Sequence, residues 1–246
     1  MLFIGALRVK NEERWIGEVL DSMNFCHEIF LFDDHSSDQT REIAKGKGAL
    51  VIDSPFESFD EARDKDHLVS CIAEKYPVGT WIIMIDGDEI LAPDAKEVLL
   101  RDMEFNPFAV AWKLRILYLW NSRDQIRIDG VYGHFERPSV FRLQVNNGFK
   151  RTTPAGNLHC SSVPASLAFR SRSSHASILH LGYMERIDRL RKWEYYNSLD
   201  PCNECEGFDF NHVERGSYPW IVQGDIPEVP SDIKLKCAGP LELKKL

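Results

Sequence analysis

The stretch Trp81-Ile82-Ile83-Met84-Ile85-Asp86-Gly87-Asp88-Glu89 decides the fold. Five consecutive apolar residues with no polar alternation read as a strand buried on both faces. That is the pattern of a parallel sheet covered by helices. The strand runs directly into acids, and in open α/β sheets ligands bind beyond the carboxyl ends of the strands.

Working upstream, Leu2 to Leu7 form a first apolar run, and residues 12–23 place Trp15, Ile16, Val19, Leu20 and Met23 on one helical face. Ile29 to Phe32 form a second strand that ends in Asp33-Asp34. The following HSSDQTREIAKGKG has Ser36 and Gln39 at capping-box spacing and closes on glycines, which predicts a helix. Ala49 to Ile52 give a third strand. Residues 58–76 give a longer helix burying Leu68, Val69, Ile72, Ala73 and Tyr76, stopped by Pro77.

Downstream, Pro93 opens a helix that ends before Pro107. From Val110 to Trp120 the even positions are apolar, with Lys113 and Arg115 between them, as in a half-exposed strand of a mixed or antiparallel region. Residues 121–182 read as irregular apart from a short strand near Ser139 to Leu143. A helix covers about 184–199. The tail from Asp225, with Pro227, Pro230 and Pro240, has little periodicity and predicts a peripheral end.

Composition narrows the partners. The 246 residues suffice for one well-buried domain, and a net charge of −8 disfavours nucleic acid and anionic membranes as main partners. No apolar run approaches the roughly 20 residues that span a bilayer. MLFIGALRVKNEE lacks the basic start and long apolar core of a signal peptide. The expectation is a cytoplasmic protein, with contact at the inner face of a membrane arising through a partner or a lipid substrate. Six cysteines would then be reduced thiols. Cys202 and Cys205 have the spacing of half a zinc site that His212 or Cys237 would have to complete.

Asp86 and Asp88 lie two residues apart, so in extended chain they face one side with Cα atoms roughly 6.6 Å apart. Carboxylates converging to 4 Å repel by about 1–4 kcal/mol, depending on screening. A divalent cation removes that penalty, and hard oxygen ligands select Mg2+ or Mn2+. Gly87 leaves no side chain between them.

Together, LRVKNEERWIGEVLDS, EIFLFDDHSSDQTREIA and WIIMIDGDEIL resemble the family-2 glycosyltransferases of the GT-A fold, over about the first 100 residues. The later FRL, LHC and ILHLGYMERIDRLRKWEYY more loosely resemble bacterial members that build envelope polysaccharides. The resemblance implies an α/β, Rossmann-like, mixed and mainly parallel sheet flanked by helices. Residues 1–105 would form the nucleotide-sugar half, 106–224 an irregular acceptor half, and 225–246 a peripheral tail. It also implies sugar transfer from a nucleotide-diphosphate donor to a saccharide or lipid-linked acceptor, with inversion at the transferred carbon as in the family.

By the same resemblance, Asp34 accepts hydrogen bonds from the nucleobase with Asp33 nearby. Arg8, Asn11 and Glu12 line the nucleotide pocket, and Arg63 touches the nucleotide. Asp86 meets the ribose or a metal-bound water, Asp88 ligates the metal, and His180 in His180-Leu181-Gly182 is a further metal ligand. A basic run of Arg186, Arg189, Arg191 and Lys192 follows. Where many relatives carry His-Glu, this chain has His159-Cys160. The base that deprotonates the acceptor then falls to Glu136, Asp129, Glu185 or His159. Haloacid-dehalogenase-type phosphatases place their Asp-x-Asp near the first strand, and sugar nucleotidyltransferases need a Gly-rich basic loop after it. Neither fits. The remaining rival is a degenerate nucleotide-sugar-binding protein without transferase activity.

Overall fold

The computed structural model describes residues 1–150, 160–199 and 233–237. In chain order the elements are β1 (Phe3–Val9), α1 (Ile16–Ser22), β2 (Glu28–Asp33), α2 (Thr40–Gly46), β3 (Leu50–Asp53), α3 (Glu61–Lys75), β4 (Trp81–Met84) and β5 (Glu89–Leu91). Then come α4 (Ala95–Phe105), β6 (Ala111–Trp120), β7 (Ser122–Arg127), β8 (Glu136–Arg142), α5 (Ala165–Ala168), β9 (Arg172–His180), α6 (Arg186–Leu199) and β10 (Leu235–Cys237).

The strands form one mixed sheet, ordered β10-β7-β6-β8-β4-β1-β2-β3 along its main path. β3, β2, β1 and β4 are mutually parallel, so their carboxyl ends share one edge: Val9 lies beside Asp33, which lies beside Asp53. β8 joins antiparallel to β4, and β6 antiparallel to β8. β5 pairs with β9, and β9 runs parallel to β6.

Alternation along β1 divides the core into two layers. Phe3, Leu7 and Val9 face α1, α2 and α4, whereas Ile4 and Ala6 face α3 and α5. This parity sends Arg8 to the α3 side. The parallel half therefore follows the expected strands and helices, with ends displaced by a few residues.

Two expectations change. Thr40 rather than Ser36 opens α2. The Asp38 carboxylate takes up the Thr40 N–H at 3.0 Å, and no Ser36–Gln39 capping box forms. Residues 121–182 contain β7, β9 and all of β8: β8 and β9 pair with strands distant in sequence, and β7, which returns along β6 in a tight hairpin, lacks apolar alternation. In the tail, Leu235–Cys237 adds to the sheet edge against β7. Cys202, Cys205, His212 and His159 lie outside the described residues. No helix among the described residues is long and apolar enough to cross a membrane.

α4 is tied to β9 by Asp102. Its buried carboxylate accepts from Ser174 Oγ (2.7 Å), His175 N (2.8 Å) and His175 Nδ1 (3.1 Å). Burial opposes its ionisation, but the Ser174 and His175 hydrogen bonds prevail and hold its carboxyl below the usual range. A lowered folded-state pKa means the contribution is complete above the unfolded value of about 3.9 and fades as pH falls through the folded one. Asp102→Ala strands these donors, and we expect about 1–3 kcal/mol of lost stability at neutral pH. Urea unfolding of both proteins should show that gap, and show it narrowing in strong acid.

Candidate active site

At the carboxyl edge of the parallel strands, the loop after β1 and the loop after β2 clasp each other. Asn11 N donates to Ser36 Oγ (2.9 Å), and Ser37 N donates to Asn11 Oδ1 (2.8 Å). Glu12 N donates to Thr40 Oγ1 (2.7 Å), Glu13 N to Asp38 Oδ2 (3.0 Å), and Gln39 N to Glu13 Oε2 (3.0 Å). Asn11 and His35 both take positive φ here, at 56° and 57°. Asn is among the residues that tolerate this conformation best. Asn11, expected to line a nucleotide pocket, spends its side chain on this clasp.

Beside the clasp, Arg8 bridges two acids, donating to Asp34 Oδ2 (2.6 Å) and Asp64 Oδ2 (3.0 Å). Asp64, fully buried on α3, also accepts from Arg63 Nε (3.1 Å), while the Arg63 guanidinium stacks 3.9 Å over Phe56. The structure thus gathers Arg8, Asp34 and Arg63 into one network whose hub, Asp64, sequence reading missed. The signal was present: Asp64 and Lys65 stand one turn before Leu68 and Val69, on the face that packs against the sheet. Asp33 is buried next door. Its Oδ2 accepts from Ser36 N (3.0 Å), while Oδ1 has no partner among the described residues.

The second carboxylate cluster is built where β4 and β5 meet β8 and β9. Arg137, projecting from β8, donates to Asp86 Oδ2 at 2.8 Å and also to Glu89. Glu89 in turn accepts from Asp86 N (3.0 Å). The β5–β9 pairing sets His180 opposite Glu89, and Leu181 N donates to the Asp88 carbonyl (2.9 Å). Asp88 is buried, and its Oδ2 faces both the Lys192 ammonium, in hydrogen-bond contact, and His180 Nε2 at 3.7 Å. A Cβ on Gly182 would stand 1.8 Å from that same oxygen, so the chain can pass there only as glycine. Gly87 is pressed likewise against the Glu12 side chain, whose Cγ would lie 2.8 Å from an added Cβ.

The electrostatics follow from crowding acids together. Burial opposes ionisation of Asp86, but Arg137, Lys65 and Lys192 hold its carboxyl well below the usual range. Asp88 is likewise lowered against its burial, chiefly by Lys192 and then His180. The neighbours move the other way. Burial, reinforced by Asp86 and Asp88, pushes Glu89 up to about 7, and burial with Asp88 pushes Glu12 up to about 8. Burial depresses His180 to about 4, so its imidazole is neutral at physiological pH.

His180 Nδ1 is buried without a hydrogen-bond partner, and Nε2 is too far from Asp88 for one. A neutral imidazole and a carboxylate oxygen facing each other at 3.7 Å lie within the span of two bonds of about 2.1 Å to one cation. Among the described residues no three His, Cys, Asp or Glu side chains converge on a single point. Two such side chains could hold a divalent cation only with further ligands from elsewhere. Asp86, whose carboxylate pairs with Arg137, lies to one side of this pair.

Of the four base candidates, Glu136 and Asp129 have partners outside the cluster. Arg137 turns toward the acids, so its neighbour Glu136 projects to the other face of β8 and accepts from Ser173 Oγ (2.6 Å). Asp129 accepts from Arg127 Nε (2.9 Å) and Lys234 N (3.0 Å). These bonds lower its pKa despite burial. Glu185 pairs with Arg14. Cys160 is buried, and its thiol is pushed up to about 12 by burial, which removes it as a base.

A parallel half-sheet with two acid clusters at its carboxyl edge, extended by an antiparallel half that closes over them, defines a GT-A-type domain. Residues 7–179 match the family model described as glycosyl transferase family 2, and the chain belongs to that family. Among curated proteins, it is 33% identical over 89 residues to an uncharacterized glycosyltransferase of Rickettsia typhi and 32% identical over 89 residues to one of Rickettsia prowazekii. Each match covers 36% of this chain and only 28% of the relative. Among solved structures, S. aureus TarS is similar over 92% of this chain and 43% of its own, at 14% identity and a TM-score of 0.50, a likeness of fold. Glucosyl-3-phosphoglycerate synthase from Mycobacterium tuberculosis, in complex with Mn2+, uridine-diphosphate-glucose and phosphoglyceric acid, matches 48% of this chain and 44% of its own. That likeness has 22% identity and a TM-score of 0.37.

The contact between Gly182 and Asp88 makes a sharp prediction. Gly182→Ala should cost about 1–3 kcal/mol, because the methyl can enter only by displacing the Asp88 carboxylate. Unchanged urea stability would mean that the two segments do not meet as described.

Proposed function

We propose that the chain transfers a sugar from a nucleoside-diphosphate donor to an acceptor hydroxyl, with a divalent cation, Mn2+ or Mg2+, held by Asp88 and His180. The observation that carries this reading is the convergence of a buried carboxylate and an unsatisfied neutral imidazole at the edge where an α/β sheet receives ligands. The nucleoside would lie along the Arg8–Asp34–Asp64 network, where Asp34 can accept from a base and Arg63 and Phe56 offer a stacked, charged flank. Asp86, half-exposed and ionised beside Arg137, can accept from a ribose hydroxyl.

A cation held by Asp88 and His180 would stabilise the negative charge that builds on the departing diphosphate. The protein's own part is placement. Gly182 keeps a side chain off the Asp88 carboxylate, Gly87 admits the Glu12 and Val9 side chains against the strand end, and buried Glu89 with Arg137 fixes that end. Inversion calls for a carboxylate near the acceptor hydroxyl. Among the base candidates, Asp129 is committed to Arg127 with a lowered pKa, and Glu136 faces Ser173 on the side of β8 away from the acid cluster, so neither is assigned that role. The acceptor we propose is a saccharide or lipid-linked hydroxyl in cell-envelope polysaccharide or glycoconjugate synthesis, at the cytoplasmic side. The residues 178–196 segment, by its resemblance to envelope transferases, supports that choice. A donor-binding protein without turnover is favoured by one observation, the Lys192 ammonium already seated on Asp88.

Calorimetry with uridine or guanosine diphosphate, with and without Mn2+, separates the roles. Asp88→Ala should abolish the metal-dependent part of binding while leaving circular dichroism unchanged; equal affinities would remove Asp88 from the metal site. Asp34→Ala should weaken nucleotide binding by about 10- to 100-fold, the loss of one charged hydrogen bond, and retain the response to Mn2+. Loss of the metal response instead would mean that the two clusters have exchanged jobs. Donor hydrolysis or transfer by the wild type excludes the binding-protein reading.

A further inference from the structure

We propose that the Lys192 ammonium and a divalent cation are mutually exclusive occupants of Asp88, so that Lys192 sets how weakly the free protein binds metal. The inference rests on the metal role proposed for Asp88 and goes beyond it by assigning a function to a residue on α6.

The position of Lys192 is built. Asp188, one turn earlier, is held by Arg14 NH1 through both carboxylate oxygens (3.0 and 2.9 Å), which ties α6 to the loop after β1. Arg189 donates to the carbonyls of Tyr183 (2.8 Å) and Met184 (3.0 Å) and to Asn121 Oδ1 (3.2 Å). Its guanidinium also stacks 4.5 Å from Trp120. These contacts fix the first turn of α6 from two sides and aim position 192 at the end of β4.

The ammonium meets the same Asp88 oxygen that faces His180, and Lys192 Cε lies only 2.7 Å from where a Gly182 Cβ would be. Asp88 is buried, so the space around Oδ2 is already divided among Lys192, His180 and the Gly182 backbone. A second, doubly charged ion bound at this oxygen would sit within a few ångströms of the ammonium with little water between them. Like charges at that distance repel strongly. One occupant excludes the other.

The exchange needs no movement of the fold. The α6 clamp is made by residues 188 and 189, whereas the ammonium hangs on a flexible four-carbon stem and can withdraw by rotation about its own bonds. Without a cation, Lys192 neutralises a carboxylate that would otherwise be buried uncompensated, a costly state. With metal and diphosphate present, the phosphates offer the displaced ammonium a new partner. The protein would thus bind metal poorly alone and well with its donor.

The test is Mn2+ binding in the absence of nucleotide, measured by titration calorimetry and by the loss of free-ion paramagnetic resonance. The proteins are wild type, Lys192→Met, Lys192→Arg and Asp88→Asn, with thermal unfolding to confirm each fold. Lys192→Met should bind Mn2+ about tenfold more tightly or better, and Lys192→Arg, which keeps the charge, should stay near wild type. Unchanged or weaker binding by a folded Lys192→Met, with Asp88→Asn abolishing binding, would overturn the competition and leave the metal site standing. Binding that is indifferent to Asp88→Asn would overturn both.

Discussion

Two carboxylates at the end of a buried strand must be matched by positive charge, and the rest of this structure is arranged around that demand. Arg137 reaches Asp86 from β8, and Lys192 reaches Asp88 from α6. Both come from the C-terminal half, whereas the acids come from the parallel half. These ion pairs therefore link the two halves of the domain in addition to the shared sheet. It also explains the neighbours: with two acids ionised, Glu12 and Glu89 are pushed toward the protonated form by burial and by those charges.

The motifs of the N-terminal half serve structure and site together. Asn11 is expected to line a nucleotide pocket, yet its side chain and those of Glu13, Ser36, Asp38 and Thr40 bind the opposing loop. This division is reasonable physically. Two loops that must present Arg8 and Asp34 at a fixed separation gain rigidity from short polar side chains bonded to backbone, and a preorganised site loses less entropy on binding.

The legible part of the sequence was the part whose structure is local. Continuous apolar strands and 3.6-residue periodicity placed β1 to β4 and the helices between them, and the positions of Asp34, Asp86 and Asp88 followed from strand ends. β7 and β9 were not legible. Ser122-Arg-Asp-Gln-Ile-Arg is polar because it lies near the sheet edge, and Arg172–His180 pairs with strands more than fifty residues away. Arg137 and Lys192 were hidden for the same reason: each acts on a carboxylate far off in sequence, and a charge in a basic run looks like a solvated helix face. Asp64 alone was within reach, by extending the buried stripe of α3 one turn toward its start. Glu136 and Asp129 suited the chemistry of a base by residue type, but strand parity and the Arg127 contact give them other partners.

The account stands on Asp88 and His180 gripping one cation that grips a diphosphate. Anomalous diffraction from a crystal soaked with Mn2+ and uridine diphosphate tests it most directly. The account predicts a single strong peak bonded to Asp88 and His180 Nε2, phosphate oxygens completing its ligands and Lys192 withdrawn from Asp88. A diphosphate bound with Lys192 still on Asp88 and no peak between those two side chains would contradict it.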